Sequence, residues 1–394
     1  MKEIIKEVIS NKRYIIITYI LFALAASIQS ISTGPKIFSD DTIEYTRYNN
    51  YLIFKNSFHH LKNYQDLYVA YPNEQWDLYK YTPTFSVFFG LFAVTPDWIG
   101  LNLWNLTNAL VLLFAIYYLP RLDNFKKGTI LIIVLVELMT SMQNAQSNGL
   151  IAGLLVLSFG LLEKEKYLFA TLCIVFSFYI KLFGIVGLAL LIFYPHKWKL
   201  ALYTLLWTIL LAIIPFLFID IDQYSSLLQS YMSMLGNDHS NSYGFSVMGW
   251  INSWFALDLN KNVVVLVGVV LFLLPFALFS KYVNSTFKQL ALCSVLIWIV
   301  IFNHKAESPT FIIAMTGVAI WFVSGTKSNL HKVLFGCAII LTSLSPTVFF
   351  PKFLREEYVF PYSLKALPCI LIWLKILYDM FVSEKDLITE NPIS

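Results

Sequence analysis

The sequence predicts an all-α polytopic membrane protein with about 12 transmembrane helices and a large first extracytoplasmic loop. Of its 394 residues, 58% are hydrophobic and 13% are charged, whereas a soluble domain carries about 25% charged residues. Long apolar segments follow one another along most of the chain, and Lys and Arg concentrate in alternate turns between them. The net charge of +4 is spread over these turns, so it does not indicate a nucleic-acid partner.

The N-terminal apolar segment, 14–32, is predicted to be a retained signal anchor and the first span. Four cations precede it, namely Lys2, Lys6, Lys12 and Arg13, and no clear A-x-A cleavage site follows it. Because Lys and Arg favour the cytoplasmic side, the N-terminus is predicted inside and the next loop outside.

The segment 84–94 is apolar but only about half a span long. If it crossed the membrane, Arg121, Lys126 and Lys127 would lie outside, and every later loop would carry the wrong charge. We therefore predict that this segment is re-entrant or interfacial, within an outer loop that covers residues 33–97.

The remaining spans are predicted within residues 98–382 of a single integral membrane domain, 1–394, with a cytoplasmic tail at 383–394. Several are short, since about 14 residues extend roughly 21 Å against a hydrocarbon core of about 30 Å. Short spans need shielding by neighbours or by a cavity, here one that opens outward. The predicted spans are 98–119, 129–142, 148–162, 167–180, 183–194, 198–219, 263–280, 287–302, 309–323, 332–349 and 364–382.

The sequence indicates neither a metal site nor a cofactor site. No Gly-rich nucleotide loop, HExxH or GxSxG motif appears, which leaves a nucleotide-sugar site unsupported. The cysteines lie in apolar segments without CxxC spacing, and they are predicted to be buried small hydrophobes: Cys173, Cys293, Cys337 and Cys369.

The polar segment 33–83 carries the densest set of reactive side chains. Asp40 and Asp41 directly follow the predicted membrane exit. A carboxylate at a membrane surface can take the proton of a hydroxyl group as a general base; a solvated loop start or a helix N-cap is the structural alternative. Because adjacent side chains point in different directions, only one of the two is expected to face a reaction.

Two features of the middle of the chain are candidates for substrate contacts. The outer turn 143–149 holds four amides, including Gln146 and Asn148, which either bind sugar hydroxyls or simply satisfy the turn. Lys181 interrupts an apolar stretch, which is costly unless its ammonium reaches water or an anion. A lipid-linked phosphate fits this position, and snorkelling to the interface is the alternative.

A later outer turn reads N-H-K-A-E-S-P and contains His304, Lys305 and Glu307. These groups are able to contact a phosphate or an acceptor, although a lone His is more often structural. In the last span, Lys375 and Asp379 are four residues apart and are predicted to pair with each other.

Taken in order, several of these stretches resemble glycosyltransferase family 87, within the GT-C superfamily of polytopic glycosyltransferases. Asp41 begins a D-x-x-x-Y run to Tyr45, which is similar to the family's acidic start to the first outer loop. The stretch 79–83 resembles the family's Y-x-P-P motif, with Thr82 at the first Pro position.

The resemblance extends over about residues 35–200. Trp104 and Asn105 fall in a W-x-x-N-like region, and 146–148 resembles a G-Q-x-N turn, with Ala145 where Gly is usual. Lys181 resembles a Lys that follows two further spans. The N-H-K-A-E-S-P turn departs from the family pattern.

The resemblance implies a GT-C-like enzyme, a hexosyltransferase whose active site faces the periplasm or exterior. A bacterial inner membrane is predicted because no organelle-targeting signal is visible. It implies inverting transfer of mannose or another hexose from a polyprenyl-phosphate donor to a lipid or glycan acceptor, with Asp41, or its neighbour Asp40, as the base. The residues implied to bind the donor phosphate are Lys181, Lys305 and Arg355. Those implied to bind sugar or acceptor are Tyr45, Tyr81, Gln146, Asn148, His304 and Glu307.

The main alternative is a polytopic transporter or flippase of a lipid-linked saccharide, and a non-catalytic scaffold subunit is a third. Transporters often contain internal repeats and charged groups on broken helices near the membrane midplane. No repeat is visible here, and the polar groups concentrate in outer loops. This distribution favours an enzyme.

Overall fold

The computed structural model describes residues 2–37, 43–238, 243–325 and 327–382. In this part of the chain, one small antiparallel sheet pairs β1, Lys36–Ile37, with β2, Glu44–Tyr45. The α-helices are α1 Lys2–Ser10, α2 Lys12–Ser32, α3 Asn49–Lys62, α4 Pro83–Ala93, α5 Asp97–Tyr118, α6 Asn124–Gln143, α7 Asn148–Glu163, α8 Tyr167–Ile180, α9 Lys197–Ile213, α10 Ile221–Asp238, α11 Val247–Phe255, α12 Lys261–Leu273, α13 Ser285–Ile301, α14 Phe311–Ser324, α15 Asn329–Cys337, α16 Lys352–Leu354 and α17 Leu367–Val382.

Tighter and wider helical turns extend or connect these helices. The 3₁₀ segments are Leu182–Phe193, Ile214–Leu217, Leu274–Ala277, Phe279–Lys281 and Ser308–Thr310. The π-helical segments are Ala338–Leu344 and Arg355–Val359.

The apolar segments predicted from hydropathy form helices, so the all-α prediction for a membrane protein is confirmed. Among the described residues, three helices are long and apolar enough to cross a membrane: Lys12–Ser32, Asp97–Tyr118 and Lys197–Leu217. Eight further apolar helices have 10–17 residues, fewer than the roughly 20 that a straight span needs. The count of about 12 crossings, the side of each loop and the GT-C-like arrangement stay predictions.

The short segment after the polar loop is helix α4, 11 residues long. Pro83 occupies its first turn, and the Thr82 side chain caps it by accepting a hydrogen bond from the Phe85 N–H. Pro suits this position because its fixed φ matches the helix and its missing N–H is not needed there. At 1.5 Å per residue α4 extends about 16 Å, so its re-entrant or interfacial placement remains a prediction.

An aromatic cluster holds α3, α4 and α5 together. The Trp104 ring of α5 lies 5.1 Å from Phe89 and 5.4 Å from Phe92, centroid to centroid. Phe54 of α3 lies 4.7 Å from Tyr81 and 5.3 Å from Phe85. Edge-to-face pairs of this kind contribute about 0.5–1.5 kcal/mol each beyond the area they bury. The cluster fixes Tyr81 at the N-terminal end of α4.

The chain divides into two compact units. The first contains Met1–Ile185, Trp198–Ser242 and Ser308–Ile312, and the second contains Val186–Lys197, Tyr243–Glu307 and Ile313–Ser394. The predicted single domain, 1–394, stays a prediction.

In the second unit, α13 packs against α17, where the Trp373 indole N–H donates to Ser294 Oγ over 2.9 Å. The predicted pairing of Lys375 with Asp379 is confirmed. Asp379 also lies 3.5 Å from His331 Nε2.

None of the four cysteines, all of which the structure describes, forms a disulfide bond; three of them are buried, and Cys337 is half-buried. The prediction of small hydrophobic side chains therefore holds for Cys173, Cys293 and Cys369.

Candidate active site

Lys181 stands at a sharp change of direction in the first unit. Helix α8 ends at Ile180, Lys181 is extended with φ −137° and ψ 132°, and a 3₁₀ helix begins at Leu182. A Cβ atom at Gly184 would lie 2.4 Å from the Ser177 carbonyl carbon. Only glycine allows the returning chain to pass so close to the end of α8. This close turn places the lysine side chain at the junction of the two helices.

The amide-rich turn between α6 and α7 depends on one residue in the left-handed region. Ala145 has φ +49°, a conformation that costs an L-residue roughly 1–2 kcal/mol. Its carbonyl accepts a buried hydrogen bond of 2.8 Å from the Trp104 indole N–H. Asn108 Oδ1 accepts from the Leu150 N–H, also at 2.8 Å. Two side chains of α5 therefore hold the turn from both sides.

Four of the predicted substrate-binding residues come together at this turn. Lys181 Nζ donates to Asn148 Oδ1 at 3.0 Å and to Gln146 Oε1 at 3.3 Å. The Tyr81 hydroxyl also donates to Gln146 Oε1, at 3.2 Å, and Lys181 Nζ lies 5.3 Å from the centre of the Tyr81 ring. We call Tyr81, Gln146, Asn148 and Lys181 the lysine cluster. The structure brings these four side chains together, and their roles in binding stay predictions.

The lysine cluster is built to orient a positive charge. Both acceptors of these bonds are neutral amide oxygens, so the bonds fix the direction of the Lys181 ammonium. Asn148 is fully buried, and its Nδ2 donates to the Pro309 carbonyl at 3.0 Å. This second bond assigns the amide orientation and turns Oδ1 toward Lys181. An ammonium held in this way is suited to a phosphate or another anionic oxygen group.

The outer loop supports Tyr81 through a stack of tyrosines. The Tyr68 hydroxyl donates to the Tyr81 carbonyl at 3.0 Å, and the Tyr79 hydroxyl donates to the Thr82 carbonyl at 2.8 Å. The Tyr68 ring lies 4.9 Å from Tyr231 of α10. Burial raises the pKa of Tyr68 and Tyr79 well above the ordinary tyrosine value. Both hydroxyls are therefore protonated donors at neutral pH.

Further hydrogen bonds fasten the loop to α3 and α10. Asn49 and the Trp76 backbone exchange two bonds, of 2.6 and 2.9 Å. His60 Nε2 lies 2.9 Å from Glu74 Oε2, and Ser230 of α10 donates to Asp66 Oδ2 at 2.6 Å. The polar segment is thus an ordered layer over this range rather than a loosely solvated loop.

One bond joins this layer to the amide-rich turn. Asn50 Nδ2, on α3, donates to the Asn144 carbonyl at 2.8 Å. At the other side of the turn, Gln143 Nε2 donates to Gln29 Oε1 at 2.6 Å, and Ser30 Oγ, also on α2, donates to the Gln143 carbonyl at 3.3 Å. The end of α2, from which the first outer loop begins, therefore contacts the turn that carries Gln146.

The predicted bases, Asp40 and Asp41, lie outside the described residues. The strands on either side of them pair with each other, with Lys36 opposite Tyr45. Tyr45 is buried, and its hydroxyl donates to the Pro72 carbonyl at 2.8 Å. This bond anchors Tyr45 to the outer loop, and a contact with substrate stays a prediction.

The other predicted site residues belong to the second unit. The turn containing His304 and Lys305 closes on Gly244, whose φ is +52° and where a Cβ would lie 2.7 Å from the His304 carbonyl oxygen. Arg355 Nη1 donates to the Thr347 carbonyl at 3.3 Å, and its Nη2 lies 3.8 Å from Glu356. Glu307 is exposed. The roles predicted for His304, Lys305, Glu307 and Arg355 stay predictions.

The residues that hold the lysine cluster in place were not predicted from the sequence. The W-x-x-N-like stretch includes Trp104 but does not indicate its bond to Ala145, and Asn108 had no predicted role. The available signal was their spacing, because Trp104, Asn105 and Asn108 occupy one face of α5 at i, i+1 and i+4. Three polar groups on one face of an apolar helix indicate buried hydrogen bonds to a neighbour.

Within the ranges that the structure describes, no group of three or more His, Cys, Asp or Glu side chains is arranged to hold a metal ion. The chemistry that the lysine cluster itself supplies is cationic and hydrogen-bonding.

Comparison with protein families supports a specific assignment. The model of glycosyltransferase family 87 matches residues 79–302, more than half of the chain. This range contains all four members of the lysine cluster and ends just before His304. No curated protein matches the chain in the comparison with characterised sequences.

Proposed function

The chain belongs to glycosyltransferase family 87 and is a glycosyltransferase of the membrane, and from this premise we propose its donor, acceptor and mechanism. The donor is a polyprenyl-phosphate-linked hexose, with mannose as the first to test. The acceptor is a hydroxyl group of a lipid or glycan on the extracytoplasmic face. Family membership supports an enzyme over the transporter or flippase alternative.

The observation that carries this proposal is the orientation of Lys181 by Gln146 and Asn148. A lipid-linked donor presents a phosphodiester at the membrane surface, and the departing phosphate gains negative charge as its bond to the sugar breaks. A preorganised cation stabilises that charge most where it develops, in the transition state. Tyr81 and Gln146, which already share a hydrogen bond, are suited to bind sugar hydroxyls beside the phosphate.

The proposed reaction is a single displacement at the anomeric carbon. Asp41 takes the proton of the acceptor hydroxyl while the hydroxyl oxygen bonds to C1 of the sugar. The bond between C1 and the phosphate oxygen breaks at the same time, and polyprenyl phosphate leaves with both bonding electrons. Attack from the face opposite the leaving group inverts the anomeric configuration. No nucleotide takes part in the step.

The second unit supplies the remaining proposed contacts. Lys305 and Arg355 assist with the donor phosphate, since Lys and Arg are the usual partners of phosphate groups. His304 and Glu307 contact the acceptor or sugar, and Tyr45 of the first unit is proposed to do the same from the outer loop. These roles rest on the resemblance of the whole chain to the family and on the charge of each side chain.

Localisation follows from the charge pattern of the turns. The positive-inside rule supports an outer-face position for the lysine cluster, and we propose that this is the periplasmic or exterior face of a bacterial inner membrane. The test is whether donor added outside sealed vesicles reaches the active site. Sealed vesicles with the outer face exposed should transfer label from added donor, and vesicles of the opposite orientation should do so only after detergent treatment.

The central experiment measures label transfer from radiolabelled polyprenyl-phosphate mannose in membranes that contain the protein. Wild type should produce a labelled glycolipid or glycan, and Asp41→Asn should lose at least 100-fold of that rate, the lower range for loss of a general base. Asp77→Asn is the matched control, because Asp77 is an exposed acid of the same loop that pairs with Lys80 at 3.1 Å.

Asp40→Asn separates the two candidate bases. If Asp41 is the base, Asp40→Asn keeps most of the activity, and the reverse pattern would transfer the role to Asp40. Full activity in both single variants and in the double variant would show that neither aspartate acts as the general base. No transfer by wild type from polyprenyl-phosphate mannose or glucose would contradict the proposed hexose donor.

A further inference from the structure

A groove on the first unit lies apart from the lysine cluster and is not used by the proposed reaction. Its volume is about 590 Å³, and its walls come from α5, α7, α8 and α9. Apolar side chains dominate the lining, among them Phe114, Leu157, Leu161, Phe169 and Leu172. Such a surface accepts a hydrocarbon chain.

Basic side chains border one end of this groove. Lys166 and Lys199 line it directly, together with one acid, Glu165. Lys164 lies beside them, with its Nζ 3.6 Å from the centre of the Tyr118 ring. Lys199 Nζ lies 5.8 Å from the centre of the Tyr203 ring. Three lysines against one glutamate give this end a net positive charge.

The start of α9 indicates the depth of the charged end in the bilayer. Trp198 is 90% exposed and sits between Lys197 and Lys199. Exposed Trp and Lys at the end of an apolar helix mark the headgroup region of a membrane. Beyond this point α9 presents exposed leucines, among them Leu202 and Leu205, which belong in hydrocarbon. The groove therefore opens toward lipid, with its lysines at headgroup depth.

We propose that this groove is a binding site for an anionic phospholipid, with an acyl chain against the apolar wall and the headgroup phosphate at Lys166 and Lys199. The lysines favour an anionic headgroup. A zwitterionic lipid carries no net charge, whereas phosphatidylglycerol carries a negative charge that the lysines attract. The site is separate from the donor site, and its occupancy does not depend on the proposed transferase mechanism.

The test is native mass spectrometry of the purified full-length protein with phosphatidylglycerol or phosphatidylcholine as the probe. Wild type should retain phosphatidylglycerol in preference to phosphatidylcholine. Each basic residue near an anionic headgroup contributes a factor of about five in affinity, so the double variant Lys166→Gln/Lys199→Gln should bind it about 30-fold more weakly. Lys332→Gln, which removes an exposed lysine from the first turn of α15 and away from the groove, is the matched control.

A second variant tests the apolar wall. Leu157→Trp fills the groove and should reduce retention of phosphatidylglycerol while the protein elutes as a single species in size-exclusion chromatography. A photoreactive phosphatidylglycerol with its probe on the acyl chain should label peptides of α8, including Phe169, in wild type. This labelling does not depend on the folding of any variant.

Three results would overturn the proposal. Equal retention of the two phospholipids, unchanged in the lysine double variant, would show that the groove does not select charge. Displacement of phosphatidylglycerol by an equal concentration of polyprenyl phosphate would assign the groove to the carrier lipid instead. Labelling confined to peptides outside α5, α7, α8 and α9 would place the lipid elsewhere.

Discussion

Replacement of Lys181 by glutamine tests the proposed role of the lysine cluster most directly. The substitution removes the charge and one donor group but keeps a polar side chain of similar length. It breaks the 3.0 Å bond to Asn148 and the 3.3 Å bond to Gln146. Both amides then require new partners, which water and the glutamine side chain are able to supply because Lys181 is half-buried.

The expected effects on folding and on transfer differ in size. A hydrogen bond to a charged group contributes about 1.5–3 kcal/mol to the free energy of unfolding. Rehydration of the half-buried site reduces the combined loss to about 1–2 kcal/mol of unfolding free energy. By contrast, removal of one preorganised charge-stabilising group typically lowers turnover by about 10²–10³-fold. We therefore expect a large loss of transfer with a small loss of stability.

The assay compares initial rates of sugar transfer and thermal unfolding for wild type, Lys181→Gln and Lys181→Arg. Because the phosphate gains charge in the transition state, kcat should fall more than KM rises. Lys181→Arg keeps the charge but not the compact ammonium between the two oxygens, so we expect partial recovery. Lys80→Gln, at a half-buried lysine of the outer loop that pairs with Asp77, controls for general loss of positive charge.

Two outcomes would contradict a role for Lys181 in the reaction. The first is a Lys181→Gln variant that keeps more than about a third of wild-type turnover, far above the expected range. The second is a loss of stability that accounts for the whole loss of transfer, with recovery of the rate when the assay temperature is lowered. Either result would make Lys181 a structural residue that reaches water at the interface.

Three further predictions concern the groups around the lysine cluster. Trp104→Phe should lower the unfolding free energy by about 1–3 kcal/mol, because it leaves the buried Ala145 carbonyl without its donor, and it should raise the donor KM in the transfer assay. Ala145→Gly should leave the free energy of unfolding within about 1 kcal/mol of wild type, because relief of the left-handed strain offsets the loss of a buried methyl group. Ala145→Val should unfold at a clearly lower temperature. Equal melting temperatures for the two variants would argue against a strained turn. Because burial raises the pKa of Tyr68 and Tyr79 above the ordinary value, the folded chain keeps protons that the unfolded chain releases, so stability should fall as pH rises above about 10. Tyr68→Phe should flatten this alkaline decline, and an unchanged pH profile of the melting temperature would contradict the assigned burial.

The positions of the helices were largely predictable from the sequence. Hydropathy placed the first helix at 14–32 and the structure places it at Lys12–Ser32; the spans predicted at 148–162 and 167–180 are Asn148–Glu163 and Tyr167–Ile180. A helix satisfies its own backbone hydrogen bonds, so local apolar composition is sufficient to locate it. The start of α4 also depends on neighbouring residues alone, because Pro83 and its capping residue Thr82 are adjacent in the sequence.

The candidate site was predictable only as separate residues. Tyr81, Gln146, Asn148 and Lys181 were each proposed to bind substrate, but residues 65 apart, such as Tyr81 and Gln146, meet only through the packing of α3, α4, α5 and α8. The structure also gives a reason for the departure at position 145. The turn needs a left-handed residue there, which explains why Gly is usual in the resembling motif and why Ala carries strain.

The class of protein, the helices and the types of reactive groups thus follow from the amino-acid sequence, because composition and short-range periodicity act within a few residues. The bonds from Lys181 to Gln146 and Asn148 beside Tyr81, and the support of the turn by Trp104 and Asn108, became visible only in the folded chain. Hydrogen bonds between distant segments depend on how helices pack. Packing is a property of all the contacting side chains together, and no local pattern encodes it.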